Sequence, residues 1–295
     1  MTTYSPTQAV THPAPTAHPA PTAHPPAAPV PPAGRPPTAT PPATAPASAN
    51  RWLGGVPPGT DAPVRLFCFP HAGGGSSAFR GWHQALAPLA EARPVVLPGR
   101  ERRLREVPYV AMEQLVEPLY EGLLPFLDRP FAFFGHSMGA AVAYEIARRC
   151  TAEGRPPVRL LVSGRRAPHL PSRRSSYAEL PDEAFLEKVG GLNGTPADVM
   201  EQPELFRLFL PCLRADFELN DTYRPLPGLR LACPVTALAG SEDPEANRTE
   251  LSAWSQVTSG PTEVHTLPGD HFYLKDAPRA LLDLVRSRIE QSAAI

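Results

Sequence analysis

One stretch decides most of what this chain can fold into. Residues 131–148 read FAFFGHSMGAAVAYEIAR. The first four are apolar and three of them aromatic, a composition that suits a buried strand. From Ala140 onward the alanine-rich run is a strong helix former. Between the two, Gly-His-Ser-Met-Gly must carry the chain from strand to helix in a few residues. Small residues on either side of Ser137 let strand and helix approach, and the serine falls at the apex of the turn. A serine in a G-x-S-x-G turn of this kind is lifted above the sheet. The first free N–H groups of the helix, Met138's among them, then point toward whatever it attacks. An ordinary glycine-containing turn is the bland alternative, and the flanking strand and helix weigh against it.

The rest of the chain repeats the alternation. Apolar runs at 64–69, 94–98, 158–163 and 234–239 read as strands, as does TEVHTL at 262–267, and 77–88, 111–127 and 277–291 read as helices, with a kink near Pro118. Strand and helix in turn imply an α/β fold with a mostly parallel sheet covered on both faces. From about 165 to 227 no strand is expected. Apolar residues at 205–210 and 212–217 fall at helical spacing there, so this insertion reads as a lid. Its apolar face is expected to line an acyl pocket, to pack on the body, or both.

Residues 1–50 differ from everything after them. They hold 15 of the 41 prolines, no acidic residue and one basic residue, Arg35, and HPAPTA occurs twice, at 12–17 and 18–23. Such a segment cannot build a core and reads as a disordered tail: a spacer, a tether or a docking peptide. It lacks the charged start and apolar stretch of a secretory signal. The remainder, 51–295, suffices for one large domain.

Composition narrows the partners. A net charge of −1 argues against nucleic acid. No apolar run is long enough to span a membrane. Cys68, Cys150, Cys212 and Cys233 are scattered through apolar segments, as reduced core cysteines of a cytoplasmic protein would be, not as metal ligands. A monomer is the default expectation.

A serine hydroxyl attacks only when a histidine takes its proton and an acid orients that histidine. On a sheet of this kind the order along the chain is serine, acid, histidine. His271 follows the last expected strand, at the edge where ligands gather; His169 has no such position, and His265 lies within a strand. Asp243 follows the strand before it. It is preferred over Glu242, Asp270 and Asp276, Glu242 being the main rival. His136 adjoins the nucleophile too closely to serve as base and reads as a supporting group. After the first strand comes PHAGGG, a loop whose glycines allow close backbone approach to a ligand. In α/β-hydrolases such a loop supplies the second oxyanion donor, here the Ala72 N–H, beside that of Met138. A phosphate loop is the alternative, but neither glycine-rich phosphate motif is present. Arg100, Arg102, Arg103 and Arg105 crowd one loop. They read as a solvated face or as a landing site for an acidic partner.

These segments also resemble a known family. FPHAGGG (69–75), LPGRERRLRE (97–106), GHSMGA (135–140), LPCLRADFELNDTY (210–223) and GDHFYL (269–274) are similar to the type II thioesterases that accompany polyketide and nonribosomal peptide synthases, over about residues 60–285. The resemblance implies an α/β-hydrolase fold and a triad of Ser137, Asp243 and His271, with Ala72 and Met138 as oxyanion donors. It implies a substrate acyl or aminoacyl group, such as acetyl or propionyl, in thioester linkage to the phosphopantetheine arm of a carrier protein. No metal or nucleotide cofactor is then required. Carrier proteins are usually acidic, so Arg100, Arg102, Arg103 and Arg105, with Arg165, Arg166, Arg173 and Arg174, become candidates for docking. The rival expectations are an acyltransferase between carrier thiols and a non-catalytic docking protein of hydrolase shape.

Overall fold

The computed structural model describes residues 50–54, 61–172, 176–177, 179–190, 203–225 and 229–293, all within one unit that spans 44–295. The expected tail, except Asn50, lies outside the described residues.

Six strands form one sheet: β1 (Val64–Phe69), β2 (Ala90–Pro94), β3 (Phe131–His136), β4 (Arg159–Ser163), β5 (Val235–Gly240) and β6 (Thr262–Leu267). Their order is β2-β1-β3-β4-β5-β6, and every pairing is parallel. Side chains alternate between the faces. Phe67 and Phe69 of β1 join Phe131 and Phe133 of β3 in one core, with edge-to-face ring contacts at 5.5–6.3 Å. Leu66, Cys68, Ala132 and Phe134 point the other way, into a second core. The helices α2 (Met112–Leu123) and α3 (Met138–Ala152) bury their apolar faces in the first core. Both α1 (Trp82–Leu86) and α7 (Arg279–Ala293) do so in the second. Both faces of the sheet are thus covered, as an all-parallel sheet requires.

Two expected elements differ. β2 covers 90–94, not 94–98, because its sequence AEARP hides a buried charge cluster. Glu91 pairs with Arg65 of β1 at 3.2 Å and with Arg93 at 3.0 Å. The apolar run after it is still buried, but it leaves the sheet. Leu53 bridges Val95 in antiparallel fashion, and the Val96 N–H donates to the Trp52 carbonyl. The helix expected at 77–88 is broken at Gly81, whose φ is +83°, into a short 3₁₀ turn and α1. The kink position, Pro118, lies inside α2.

The described part of the insertion carries α4 (Asp182–Gly190) and α5 (Pro203–Thr222), and no strand among its described residues. Leu213 and Phe217 of α5 pack with Phe185 and Val189 of α4, while Leu219 and Tyr223 enter the first core. A capped turn of helix, α6 (Arg248–Ser252), follows β5. Among the described residues no helix is long and apolar enough to cross a membrane. The four cysteines are buried and unpaired.

Candidate active site

Because all six strands run parallel, the loops that follow them share one edge of the sheet. Ser137 follows β3, Gly164 follows β4, Asp243 follows β5 and His271 follows β6. The loop 70–76 follows β1 at the same edge. Residues distant in sequence therefore gather without any long excursion.

Ser137 sits between β3 and α3 with φ +54° and ψ −117°, a conformation that L residues rarely adopt. Its own N–H is held by the Ser163 carbonyl at 2.8 Å. Space forces the flanking residues to be glycine. A Cβ on Gly135 would lie 2.3 Å from the Gly139 carbonyl oxygen, and one on Gly139 would lie 2.2 Å from that of Phe69. The second contact also presses the start of α3 against the end of β1. Met138, the first residue of α3, has an N–H with no partner inside the helix. The Ala72 N–H is taken by no other group among the described residues.

His271 is buried, and its Nδ1 lies 2.9 and 3.0 Å from the two carboxylate oxygens of Asp243. The same carboxylate accepts the Glu245 N–H at 2.8 Å. The rival acids are placed elsewhere. Asp270 accepts the Phe272 N–H within its own turn at 2.8 Å, and Glu242 is exposed. An ionised carboxylate at Nδ1 fixes the proton there and leaves Nε2 as the basic nitrogen. Among the described residues no hydrogen bond joins His271 to the Ser137 hydroxyl. His136, which precedes the serine, places its ring centroid 4.9 Å from that of His271. Gly164, at φ +60°, leaves room for both rings; a Cβ there would lie 2.6 Å from one imidazole and 3.0 Å from the other.

Four residues to which the sequence assigned no role, Ser163, Tyr273, His71 and Asp216, complete the surroundings. His136 Nδ1 meets the Ser163 hydroxyl at 2.9 Å, which meets the Tyr273 hydroxyl at 2.7 Å, so the ring beside the nucleophile is pinned. The only hint was one hydroxyl at the end of an apolar strand. His71 packs edge-on to His136 and Phe272, at 5.9 and 5.0 Å. Burial above all holds both His71 and His136 neutral: His71 falls to about 3 and His136 well below the usual imidazole value. Asp216 of α5 is buried in an ion pair with Arg100 at 2.7 Å. An acid within the apolar stripe of Cys212, Leu213 and Phe217 was its signal.

A cleft of about 1070 Å³ opens at Ser137, walled by Tyr144, Gly164, Arg165, Asn220 and Tyr223. The end of α5 thus contributes polar groups to it, while the apolar face of that helix packs on the body and on α4.

The arginine loop corrects an expectation. Arg100 and Arg103 are only 3% and 2% exposed and cannot meet a partner from solution. Arg100 is held by Asp216. Arg103 pairs with Glu106 at 2.7 Å, donates to the Val96 carbonyl and lies 4.0 Å over the Trp52 ring. Arg102 and Arg105 are exposed, although Arg102 donates to the Asn50 and Leu53 carbonyls. Arg165 reaches Asn220 and the Ser137 carbonyl, and Arg166 pairs with Glu250. Arg173 and Arg174 lie outside the described residues.

Comparison with known proteins places the chain in a family. The thioesterase domain model matches residues 64–289. The gramicidin S biosynthesis protein GrsT of Aneurinibacillus migulanus is 38% identical over 240 residues, which cover 81% of this chain and 94% of that protein. The thioesterase RedJ from the prodiginine pathway of Streptomyces coelicolor is 41% identical, with a TM-score of 0.72 over 77% of this chain and 91% of its own. The type II thioesterase BorB from the borrelidin biosynthetic cluster is 34% identical, with a TM-score of 0.72 over 81% of this chain and 96% of its own. The chain belongs to the thioesterase family and, within it, to the type II thioesterases.

Proposed function

We propose that this chain is a serine thioesterase that hydrolyses acyl or aminoacyl groups from the phosphopantetheine arm of carrier proteins. It thereby clears stalled or misprimed polyketide or nonribosomal peptide synthases. The observation that carries the reading is the His271–Asp243 pair, at 2.9 Å, on the sheet edge that also bears the strained Ser137. The likeness to GrsT, RedJ and BorB, proteins named for gramicidin S, prodiginine and borrelidin biosynthesis, supports the substrate class.

In this reading Ser137 is the nucleophile, His271 the base and Asp243 its orienting acid. The thioester carbonyl lies over Ser137 with its oxygen toward the Ala72 and Met138 N–H groups. As Ser137 Oγ bonds to the carbonyl carbon, its proton passes to His271 Nε2. The oxyanion that forms is held by the two N–H donors, which strengthen their grip in the transition state. Collapse breaks the carbon–sulfur bond, and the pantetheine sulfur leaves with the proton from His271. Water then attacks the acyl-serine, gives its proton to His271, and the acid departs as Ser137 recovers that proton. The Ser137–His271 hydrogen bond forms once bound substrate excludes water. The chemistry asks for no metal or nucleotide, since the phosphopantetheine arrives with the substrate. The carrier docks transiently on a monomer in the cytoplasm, and the exposed Arg102 and Arg105 are the steering charges left in the arginine loop.

The test is an assay of acyl-carrier thioesters with water and with a second carrier thiol as competing acceptors. Free acid is expected as the product from wild type, and Ser137→Ala is expected to lose several orders of magnitude in turnover. Transfer to the thiol in preference to water, or near wild-type turnover by Ser137→Ala, would overturn it.

A further inference from the structure

The loop that carries Ala72 does not hold itself in place. Gly73 has φ +73°, and the turn is closed by one backbone bond, from the Gly74 N–H to the His71 carbonyl at 2.9 Å. The rest of its support comes from elsewhere in the chain. Asp216 of α5, 2% exposed, accepts the Gly73 N–H at 2.7 Å with one carboxylate oxygen. Its other oxygen accepts from Arg100 at 2.7 Å. Arg100 in turn donates to the Gly74 carbonyl at 2.8 Å and makes longer contacts, at 3.4 Å, with the Pro98 carbonyl. Beside them, Leu213 of α5 lies where a Cβ on Gly73 would be, 2.6 Å away. Glu101 accepts the Ser76 N–H at 2.5 Å.

One buried ion pair therefore grips the N–H of residue 73 and the carbonyl of residue 74, and it joins three segments at a single point. The peptide plane between Ala72 and Gly73 cannot rotate without breaking the 2.7 Å bond to Asp216. That plane and the Ala72 N–H share the Ala72 α-carbon, so the direction of the donor is tied to α5. A buried ion pair is a poor way to gain stability, because apolar residues of similar volume often do as well. It is a good way to fix an orientation, since charged hydrogen bonds are short and directional.

We propose that Asp216 and Arg100 are positioning residues: they aim the Ala72 N–H at the oxyanion and couple that aim to the seating of α5. The proposal rests on the reading of Ala72 as an oxyanion donor. A misaimed donor weakens the transition state and leaves ground-state binding alone, so the defect appears in kcat and in affinity for any ligand that forms an oxyanion on Ser137. A trifluoromethyl ketone with a short acyl chain is such a ligand. Ser137 adds to its carbonyl, the serine proton moves to His271, and a tetrahedral oxyanion remains.

The experiment compares wild type, Asp216→Asn and Arg100→Lys for kcat, KM and ketone affinity, with thermal unfolding as the check on folding. Asp216→Asn keeps the shape and one acceptor but loses the charge. Arg100→Lys keeps the charge but loses the planar fork that reaches the Gly74 carbonyl. The expected result is a fall in kcat of about 10²-fold, KM within about twofold, and ketone affinity reduced by the same factor as kcat/KM. Equal ketone affinity in wild type and in whichever variant folds would overturn the coupling. The underlying reading fails separately, if wild type does not bind the ketone or if Ser137→Ala retains turnover.

Discussion

The Nδ1 atom of His271 sits nearly equidistant from the two carboxylate oxygens of Asp243, at 2.9 and 3.0 Å. One N–H faces both oxygens, so the imidazole has little freedom to rotate, and its tautomer is set. The Asp243 side chain is fully buried, and the Glu245 N–H fixes one of its oxygens from behind. This contact joins the loops that follow β5 and β6, beside the backbone bond from the Glu242 N–H to the Gly269 carbonyl at 2.9 Å.

Asp243→Asn tests that contact at constant shape. The new amide can donate to Nδ1, which favours the tautomer with its proton on Nε2, the wrong nitrogen for a base. Turnover is expected to fall by about 10³- to 10⁴-fold with little change in KM, while circular dichroism stays that of the wild type. Steady-state kinetics on an acyl thioester measure it. A loss below about tenfold would show that the carboxylate does not set the histidine's state.

His71 and His136 give the protein an acid sensitivity with a definite sign. Both are held neutral when folded, His71 down to about 3, chiefly by burial. In the unfolded chain each takes a proton near 6.5. Below that pH the unfolded state binds protons that the folded state refuses, so stability falls as pH drops from about 6.5 toward 3. Urea unfolding at several pH values measures the slope. His71→Gln is expected to flatten it by up to about 1.4 kcal/mol per pH unit, one proton's worth. An unchanged slope would mean that His71 is protonated in the folded protein.

The buried cluster on the outer strands makes a separate prediction. Arg65 and Glu91 are register partners on β1 and β2, and both are almost fully buried with Arg93 beside them. Removing the acid leaves guanidinium groups facing each other in the interior; Asp128 still pairs with Arg65. Glu91→Gln is expected to cost about 3–5 kcal/mol in chemical unfolding. Replacing Arg65, Glu91 and Arg93 together with apolar residues is expected to cost much less. A small effect of the single change would show that water reaches the cluster.

This cluster also shows where the sequence stopped being readable. Strands β1, β3, β4 and β5 announced themselves as apolar runs, β6 as a short TEVHTL stretch before a turn, and the G-x-S-x-G turn located the nucleophile. β2 did not, because its residues Ala90–Pro94 look like a polar loop until Arg65 is placed opposite Glu91. The same holds for Arg100 and Arg103. A run of arginines usually marks a solvated face, and only the third dimension supplies Asp216, Glu106 and the Trp52 ring to bury them. His271 and Asp243 were legible because both follow strands, and parallel strands bring such positions to one edge. The His136–Ser163–Tyr273 chain was not, since it depends on which hydroxyls face one another across that edge.

Gly139 carries the last prediction, which concerns the elbow itself. Its α-carbon faces β1 so closely that an added Cβ would lie 2.2 Å from the Phe69 carbonyl oxygen and 2.4 Å from that of Pro70. Both obstacles are backbone, so no rotamer change can relieve them. Either α3 moves away from the sheet, or the start of the loop that holds Ala72 moves outward. The first route loses packing of Ala140, Ala141 and Ala143, all buried in the first core. The second shifts the loop relative to Met138. Gly139→Ala is therefore expected to destabilise by about 3 kcal/mol, the upper range for overpacking. Any folded fraction is expected to lose turnover more than substrate affinity. Denaturant unfolding alongside single-turnover kinetics separates the two effects. A variant with unchanged stability and turnover would mean that the helix start and the end of β1 are not in contact in solution.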